Sequence, residues 1–380
     1  MKKHKTIIIG AGAAGLGCAR TLKEKDPNHD FLIISKNIGG RIDKTSNGQI
    51  YDGALFALGY YNKVKAIIGM GRLANPLEVT FFDSNVKSHT IFSLIKHPFQ
   101  LIRVLKVLRK FNKQYLAYSQ RAEIVGQKAA LEEDPELLKY YSLPASEYTP
   151  NSGFKWIAEK YMAYLMYSFA FEPIENISTF DLLRYSLITL SPTHEIIFDE
   201  ANAIRGFENS ILIDELVSFQ KNNGLYTLKT KTNKHFEAQN LVIATEPSIT
   251  KKLLNITEMH EGTSIHIFNI SGILHSPYKG RGNYEAFPVG SELIVLSKEE
   301  NETYIVASIN INPNFHHLFS EYKVISSKEW NPAFNLKVSD TLLEADRGDG
   351  LYMIGDYNVV GIEEAFITGI YAGNRILKSS

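Results

Sequence analysis

The stretch Thr6–Arg41, TIIIGAGAAGLGCARTLKEKDPNHDFLIISKNIGGR, decides the fold. Its apolar run Ile7-Ile8-Ile9 reads as a buried parallel strand and passes straight into Gly10-Ala11-Gly12-Ala13-Ala14-Gly15, which opens a helical pattern. Gly10 suits a tight turn, Gly12 lets backbone approach a ligand with no side chain in the way, and Gly15 lets the helix lie close to the strand. The free N–H groups and positive end of that helix, at Ala13 and Ala14, then face an anion. Dinucleotide pyrophosphate is the ligand this arrangement fits.

Working outward, LGCARTLKEK (16–25) continues an amphipathic helix, Pro27-Asn28-His29-Asp30 is a turn, and Phe31-Leu32-Ile33-Ile34 is a second buried strand. This completes a βαβ unit. Gly39-Gly40-Arg41 follows, a place of close backbone approach beside a fork of donors for phosphate oxygens. Strand, GAGAAG, helix, strand and GGR in this order resemble the flavoprotein family that includes amine oxidases, protoporphyrinogen oxidase, phytoene desaturases and flavin-dependent fatty-acid isomerases.

Other segments carry the same resemblance. Tyr51-Asp52-Gly53-Ala54-Leu55-Phe56 is similar to the family's D-x-G-A element, which lies along the flavin. Asn240–Ser248, NLVIATEPS, resembles the apolar strand ending in A-T-x-P-S, with the small Ala244 and Thr245 near the cofactor. The Asn222-Asn223-Gly224 turn joins strands Ile211–Gln220 and Leu225–Thr230, and aligning on it implies that the backbone of Val217 meets the adenine. Leu351–Asp356, a strand ending in Gly355-Asp356, with a helix opening at Gly361-Ile362-Glu363-Glu364-Ala365, resembles the closing G-D…S-V-E-G-A motif. There Asp356 is expected on the ribityl chain or phosphate water, and the amides near Ile362 on the flavin pyrimidine.

The departures from the family pattern are specific. Ser35 or Lys36 stands where an acid usually holds the adenosine ribose, and a serine hydroxyl bonds a ribose without the strength of a carboxylate. Arg205-Gly206 replaces a Gly-Gly pair, and only Glu208, Asn209 and Ser210 remain for the helix before Ile211. Glu364 replaces a glycine, and Gly361 stands where amine oxidases carry an aromatic ring, which disfavours amine oxidation. The cofactor-binding set implied is Gly10, Gly12, Ala13, Ala14, Gly15, Ser35, Lys36, Gly40, Arg41, Gly53, Ala54, Val217, Ala244, Thr245, Gly355, Asp356 and Ile362. No catalytic acid, base or nucleophile set stands out, and no metal ligands do.

Composition sets the bounds. The 380 residues, 44% apolar and 22% charged, suit two joined domains of an ordinary globular protein. Lys+Arg and Asp+Glu are equal at 41 each, so no field gathers nucleic acid. Cys18 alone forms no internal disulfide, which fits a reducing compartment, and the cytoplasm is the expected location. Met1-Lys2-Lys3-His4-Lys5 before an apolar run imitates a signal peptide, but cleavage there would destroy the glycine fingerprint. No window is apolar enough to span a membrane.

In chain order, 62–70 has helical spacing suited to a lid, residues 76–90 read as short strands, and Phe81-Phe82 suit a pocket wall. Across 98–118, Leu101, Val104, Leu105, Leu108, Phe111 and Tyr115 fall on one helical face and Arg103, Lys106, Lys110 and Lys113 on another. This is a core helix with a solvated basic side, or alternatively a peripheral membrane contact. Glu132–Glu136 marks a helix start, and helices follow at 156–171 and 181–190. Tyr161, Tyr164, Tyr167 and Phe169 are candidates for a cavity wall, and Tyr60 and Tyr61 are within reach of it. Runs at 265–270, 293–296 and 304–311 read as antiparallel strands. His316-His317 reads as a surface pair, because neighbours on a strand face opposite ways.

The fold expected is α/β: a Rossmann-like FAD-binding domain from 1–75, 201–255 and 338–380, with an inserted α+β substrate domain, helices plus antiparallel sheet, from 76–200 and 256–337. The expected activity is FAD-dependent removal of hydride from an apolar small molecule. The alternatives are a flavin-dependent isomerase with no net redox change, and a binding protein of the same fold with weak or no FAD. Oligomeric state is not legible.

Overall fold

The computed structural model describes residues 1–42, 56–83, 88–259, 262–279, 282–299, 301–334, 336 and 338–379. Gly53 and Ala54, with Tyr51, Asp52 and Leu55 of the same element, lie outside these residues. Strand β1 (Lys2–Gly12) leads into helix α1 (Ala13–Lys25) and then strand β2 (Phe31–Gly39), which pairs parallel to β1 in the register Ile7↔Leu32 and Ile9↔Ile34. On the other side of β1 lies His235–Ile243, and beyond it Leu351–Met353, both parallel; Ile211–Ile213 extends the sheet past β2. The Leu216–Asn222 and Leu225–Thr230 hairpin joins the sheet through the His235–Ile243 strand.

Both faces of its parallel centre are covered, which is why Ile7–Ile9, Phe31–Ile34 and Leu241–Ile243 are apolar without alternation. Alternate residues part to opposite sides. Ile7, Ile9, Ile34, Leu241 and Ile243 belong to one buried cluster, while Ile8, Ile33 and Val242 join the main core beneath α1 and the last helix. Gly15 makes the close helix-to-strand contact possible: a Cβ there would sit 1.9 Å from the carbonyl oxygen of Gly10.

A second sheet runs in the order Phe319–Phe334, Thr263–Leu274, Thr303–Ser308, Leu293–Lys298, Tyr284–Ala286, Val79–Phe82, Ser88–His89. Its longest strand, Phe319–Phe334, has no counterpart in the sequence expectation, because its outward positions are mixed and Val324 and Ile325 face solvent. The segment 62–70 is not the expected helix: a short 3₁₀ turn at Val64–Ala66 gives way to a strand, Ile68–Ala74, paired with Thr193–Phe198. Glu363 fixes that turn by accepting hydrogen bonds from the amides of Asn62, Lys63 and Val64 at 2.8 Å each.

Helix α2 (Pro98–Val125) buries Val104, Leu108, Phe111, Tyr115 and Tyr118, as its periodicity requires. After a short helix at Gln127–Glu132, Asp134 caps the helix Pro135–Ser142, accepting from Leu137 N at 3.1 Å, with Pro135 in the first turn. A helical run with a π segment covers 155–170, and helix α3 (Thr179–Ser186) is capped by Ser178. Helix α4 (Ile362–Lys378) closes the chain against α1. The helix before Ile211 is reduced to the 3₁₀ turn Glu208–Ser210. The histidine pair lies in an exposed 3₁₀ turn, Phe315–His317, and among the described residues no three His, Cys, Asp or Glu side chains group as metal ligands. No described helix is long and apolar enough to cross a membrane.

Candidate functional site

One groove runs across the carboxyl ends of the parallel strands, where an α/β sheet places its ligands. It is lined by Gly10, Gly12, Ala13 and Ala14 from the β1–α1 turn, Ser35 and Lys36 from β2, Gly40 and Arg41 after it, Ala244 and Thr245, and Gly355, Asp356 and Ile362. Segments more than 300 residues apart in sequence therefore meet in one place. The floor is bare backbone: a Cβ on Gly12 would meet only Gly39 O and Gly40 Cα, both at 4.0 Å. Helix α1 begins at Gly12 with no side-chain cap and no acid in its first turn, so its leading amides are left for a ligand.

Two expected residues stand elsewhere. Gly15 packs inside the helix-strand contact and does not line the groove. Val217 is 55% exposed and outside the groove, and Leu216 takes its place. The reason is a break in the strand: Asp214 and Glu215 interrupt it, and the ladder to the next strand shifts register at Leu216. Burial works to raise the Asp214 carboxyl, but hydrogen bonds from the Thr232 and Thr230 hydroxyls and from the Glu215 and Thr232 amides outweigh it and hold it at about 2.

Ser35 is also differently employed. Its hydroxyl accepts from Ala11 N at 3.0 Å and donates to Asn37 O at 2.7 Å, so it braces the glycine turn and its proton is already committed. A carboxylate is present at this end all the same. Glu215 lines the groove and pairs with Lys36 at 3.4 Å and with Lys231 at 3.1 Å. Sequence spacing gave no sign of it, because Glu215 reaches Lys36 through the break in the Ile211–Asn222 segment.

At the middle of the groove Arg41 Nη2 donates to Asp356 Oδ1 at 2.5 Å, and Arg41 Nη1 donates to the carbonyl of Ala333 at 3.0 Å. Asp356 is buried and Arg41 about one-third exposed, so the guanidinium still presents an edge to the groove.

A second cavity borders the groove and shares part of its lining. This chamber is walled by rings and aliphatic chains, among them Phe56, Tyr61, Phe81, Tyr161, Phe169, Tyr185, Ile188 and Tyr284. Trp330, Gly361 and Ile362 border both spaces. Of the expected aromatic stripe, Tyr161 and Phe169 reach the chamber. Tyr164 instead donates to Asp83 at 3.1 Å, and Tyr167 donates to Ser291 O at 2.7 Å. Tyr60 lies behind Tyr61, ring against ring at 5.2 Å. Among the described lining residues of the chamber there is no Asp, Glu, Lys, Arg or His.

Behind the junction lies a buried charged cluster. Arg184 Nη1 is 2.8 Å from Glu364 Oε1, and both side chains are fully buried. Arg184 Nη2 donates to Val360 O at 2.5 Å and to Asp181 Oδ1 at 3.1 Å, the Tyr115 hydroxyl donates to Glu364, and the guanidinium lies 4.5 Å over the Tyr185 ring. With Glu363 spent on the 62–64 amides and Glu364 on Arg184, neither acid caps α4, and its first amides remain available at Ile362.

Comparison with known proteins agrees with this geometry. Residues 8–67 match the NAD(P)-binding Rossmann-like domain. The whole chain is similar in structure to putrescine oxidase, wild type bound to putrescine, with a TM-score of 0.70 at 11% identity over 99% of both chains. It is similar to a putative protoporphyrinogen oxidase from Exiguobacterium sp. 255-15, with a TM-score of 0.61 at 12% identity over 100% of this chain and 99% of that one. An oxidoreductase from Methanosarcina mazei gives a TM-score of 0.61 at 11% identity over 96% and 98%. No curated protein matches the sequence. The chain therefore has the fold of these oxidoreductases, as its glycine and Gly-Asp motifs imply.

Proposed function

We propose that this protein is an FAD-dependent oxidoreductase that takes hydride from an apolar small molecule. The observation that carries the reading is the shared border of groove and chamber at Trp330, Gly361 and Ile362. A dinucleotide held in the groove with its pyrophosphate at Gly12 would have that border within its reach, beside a space suited to an apolar substrate. FAD supplies the hydride acceptor, and the residues of the chain supply position and electrostatics.

In this reading the α1 amides and Arg41 hold the phosphates, and Asp356 accepts from the ribityl chain. Glu215 is the carboxylate for the adenosine ribose, replacing in space the acid that β2 lacks. The uncapped start of α4 at Ile362 would offer its amides and positive end to the bound cofactor, where they would favour negative charge. The ringed walls exclude water from the reacting carbon. The described walls of the chamber are rings, aliphatic chains and a few hydroxyls, which supports an apolar substrate over a polyamine.

Purified protein is expected to be yellow and to release FAD on denaturation. Anaerobic addition of a substrate bleaches the flavin and leaves it bleached until an acceptor is added. Turnover with no lasting bleaching would replace oxidation with isomerisation, and colourless protein that takes up no added FAD would replace both with a binding role. Glu215→Gln is expected to weaken FAD binding about tenfold, the effect of losing one charge-assisted hydrogen bond. Titration of cofactor-stripped protein measures it, and equal affinity would remove Glu215 from the ribose site.

A further inference from the structure

We propose that the surface formed by residues 91–113 docks on a lipid bilayer bearing anionic phospholipids. The first observation is apolar exposure. Phe92 is 60% exposed, Ile95 68%, Phe99 86% and Ile102 67%. Scattered exposed apolar residues need no explanation, but four large ones within two consecutive elements form a patch. Phe92 and Ile95 lie three apart in the 3₁₀ turn Ile91–Lys96, where such positions eclipse. Phe99 and Ile102 lie three apart in the first turns of α2 and so share a face.

The patch stands on a firm base. The opposite side of α2 is sunk in the core at Val104, Leu108 and Phe111. The Gln100 side chain accepts from Trp156 N at 3.0 Å, and the His97 ring stacks on Trp156 at 4.0 Å. The four apolar side chains are thus held outward by an ordered platform.

Charge identifies the partner. In a chain whose basic and acidic residues balance, 88–122 contains seven Lys and Arg and no Asp or Glu. Lys110 pairs with Glu136 and Arg121 with Glu133. Lys96, Lys106, Arg109 and Lys113 are exposed and form no ion pair among the described residues. Lys106 and Arg109 continue the Phe99–Ile102 face along the helix at intervals of three and four. An apolar tip followed by a basic stripe is the arrangement of a helix that lies at a lipid interface, rings and aliphatic chains among the acyl boundary and cations among the phosphates. A second copy of the same face would bring only more cations to it.

Co-sedimentation of the full-length, FAD-loaded protein with vesicles tests this. Binding is expected on phosphatidylglycerol/phosphatidylcholine vesicles at low salt, falling at high salt, and absent on pure phosphatidylcholine. Phe99→Ser/Ile102→Ser is expected to weaken it roughly tenfold, and Lys106→Gln/Arg109→Gln about 25-fold, since each cation near the surface contributes about fivefold. Both variants keep the parent's flavin content and melting temperature, because all four side chains are exposed. No binding at low salt overturns the proposal. So does binding that is equal on neutral vesicles, or that the Phe99/Ile102 variant retains in full. Self-association that the same variant abolishes, in protein that ignores vesicles, would assign the patch to a second copy of the chain instead.

Discussion

Arg184→Met is expected to destabilise the protein by about 3–5 kcal/mol, the cost of leaving a buried charge without its partner. Among the described residues Arg184 is the cation that pairs with the carboxylates of both Asp181 and Glu364 in a buried cluster, and its second nitrogen holds the carbonyl of Val360 just before the start of α4. Burial alone pulls the guanidinium down, but Glu364, Tyr60, Tyr185 and Asp181 outweigh it and keep Arg184 charged. Removing it leaves two acids in a low-dielectric pocket. Burial already holds Asp181 above the usual carboxylate range, against the pull of Arg184. In the variant Asp181 loses the pull of Arg184, so its folded-state pKa stays raised above its unfolded one. Its penalty is therefore full above the folded pKa and disappears below the unfolded one. The deficit relative to the parent should shrink as pH is lowered from neutrality toward the ordinary carboxylate range. Urea unfolding at several pH values measures both effects. Arg184→Met/Glu364→Leu is expected to recover much of the loss, because it removes charge from both sides. An unchanged midpoint in the single variant would show that the cluster contributes nothing to the fold.

Gly361 belongs to the same structure. Its φ of +149° and the space around it both require glycine: a Cβ would meet Glu364 Oε2 at 2.2 Å and Arg184 Nη1 at 3.1 Å. The aromatic ring that amine oxidases place here is thus excluded by the acid three residues later. Two departures visible in the sequence, at 361 and 364, are one packing arrangement, and the sequence could not join them because their common partner, Arg184, lies far upstream.

Legibility followed the range of the interactions. The β1–α1 turn and the Gly355-Asp356 strand end could be read because each is a local pattern of apolar period and small residues, and the structure brings both to one groove. Val217 was misplaced because an alignment anchored on the Asn223-Gly224 turn assumes an unbroken strand, and Asp214 and Glu215 break it. Helical spacing at 62–70 gave way to a strand, since Ile68–Ala74 gains a ladder to Thr193–Phe198 that no local propensity reports. Trp330 was missed altogether. It reaches the junction of groove and chamber from a long strand whose composition is mixed, and which is held by its pairing with Thr263–Leu274.

Arg41→Ala is expected to lower FAD affinity by about 3 kcal/mol, about 100-fold, as a charge-assisted phosphate contact is lost. The residue is placed for more than one task. Its fork ties the end of β2 to Asp356 at 2.5 Å and to the Ala333 carbonyl at 3.0 Å, joining three distant segments across the groove. Burial opposes its charge and Asp356 restores it, so the guanidinium stays protonated and available to phosphate oxygens. A purely structural role and a phosphate role make different predictions. If Arg41 only neutralises Asp356, then Arg41→Ala/Asp356→Asn should regain stability and bind FAD as well as Asp356→Asn alone, because the unpaired carboxylate is gone. If it also holds phosphate, the double variant regains stability and remains poor in flavin. Arg41→Lys keeps the charge and loses the fork, and should fall between. Flavin-to-protein ratio after gel filtration and titration of the stripped protein read the affinity, while urea midpoints read the fold. Full flavin content in Arg41→Ala would mean that the α1 amides hold the pyrophosphate without it.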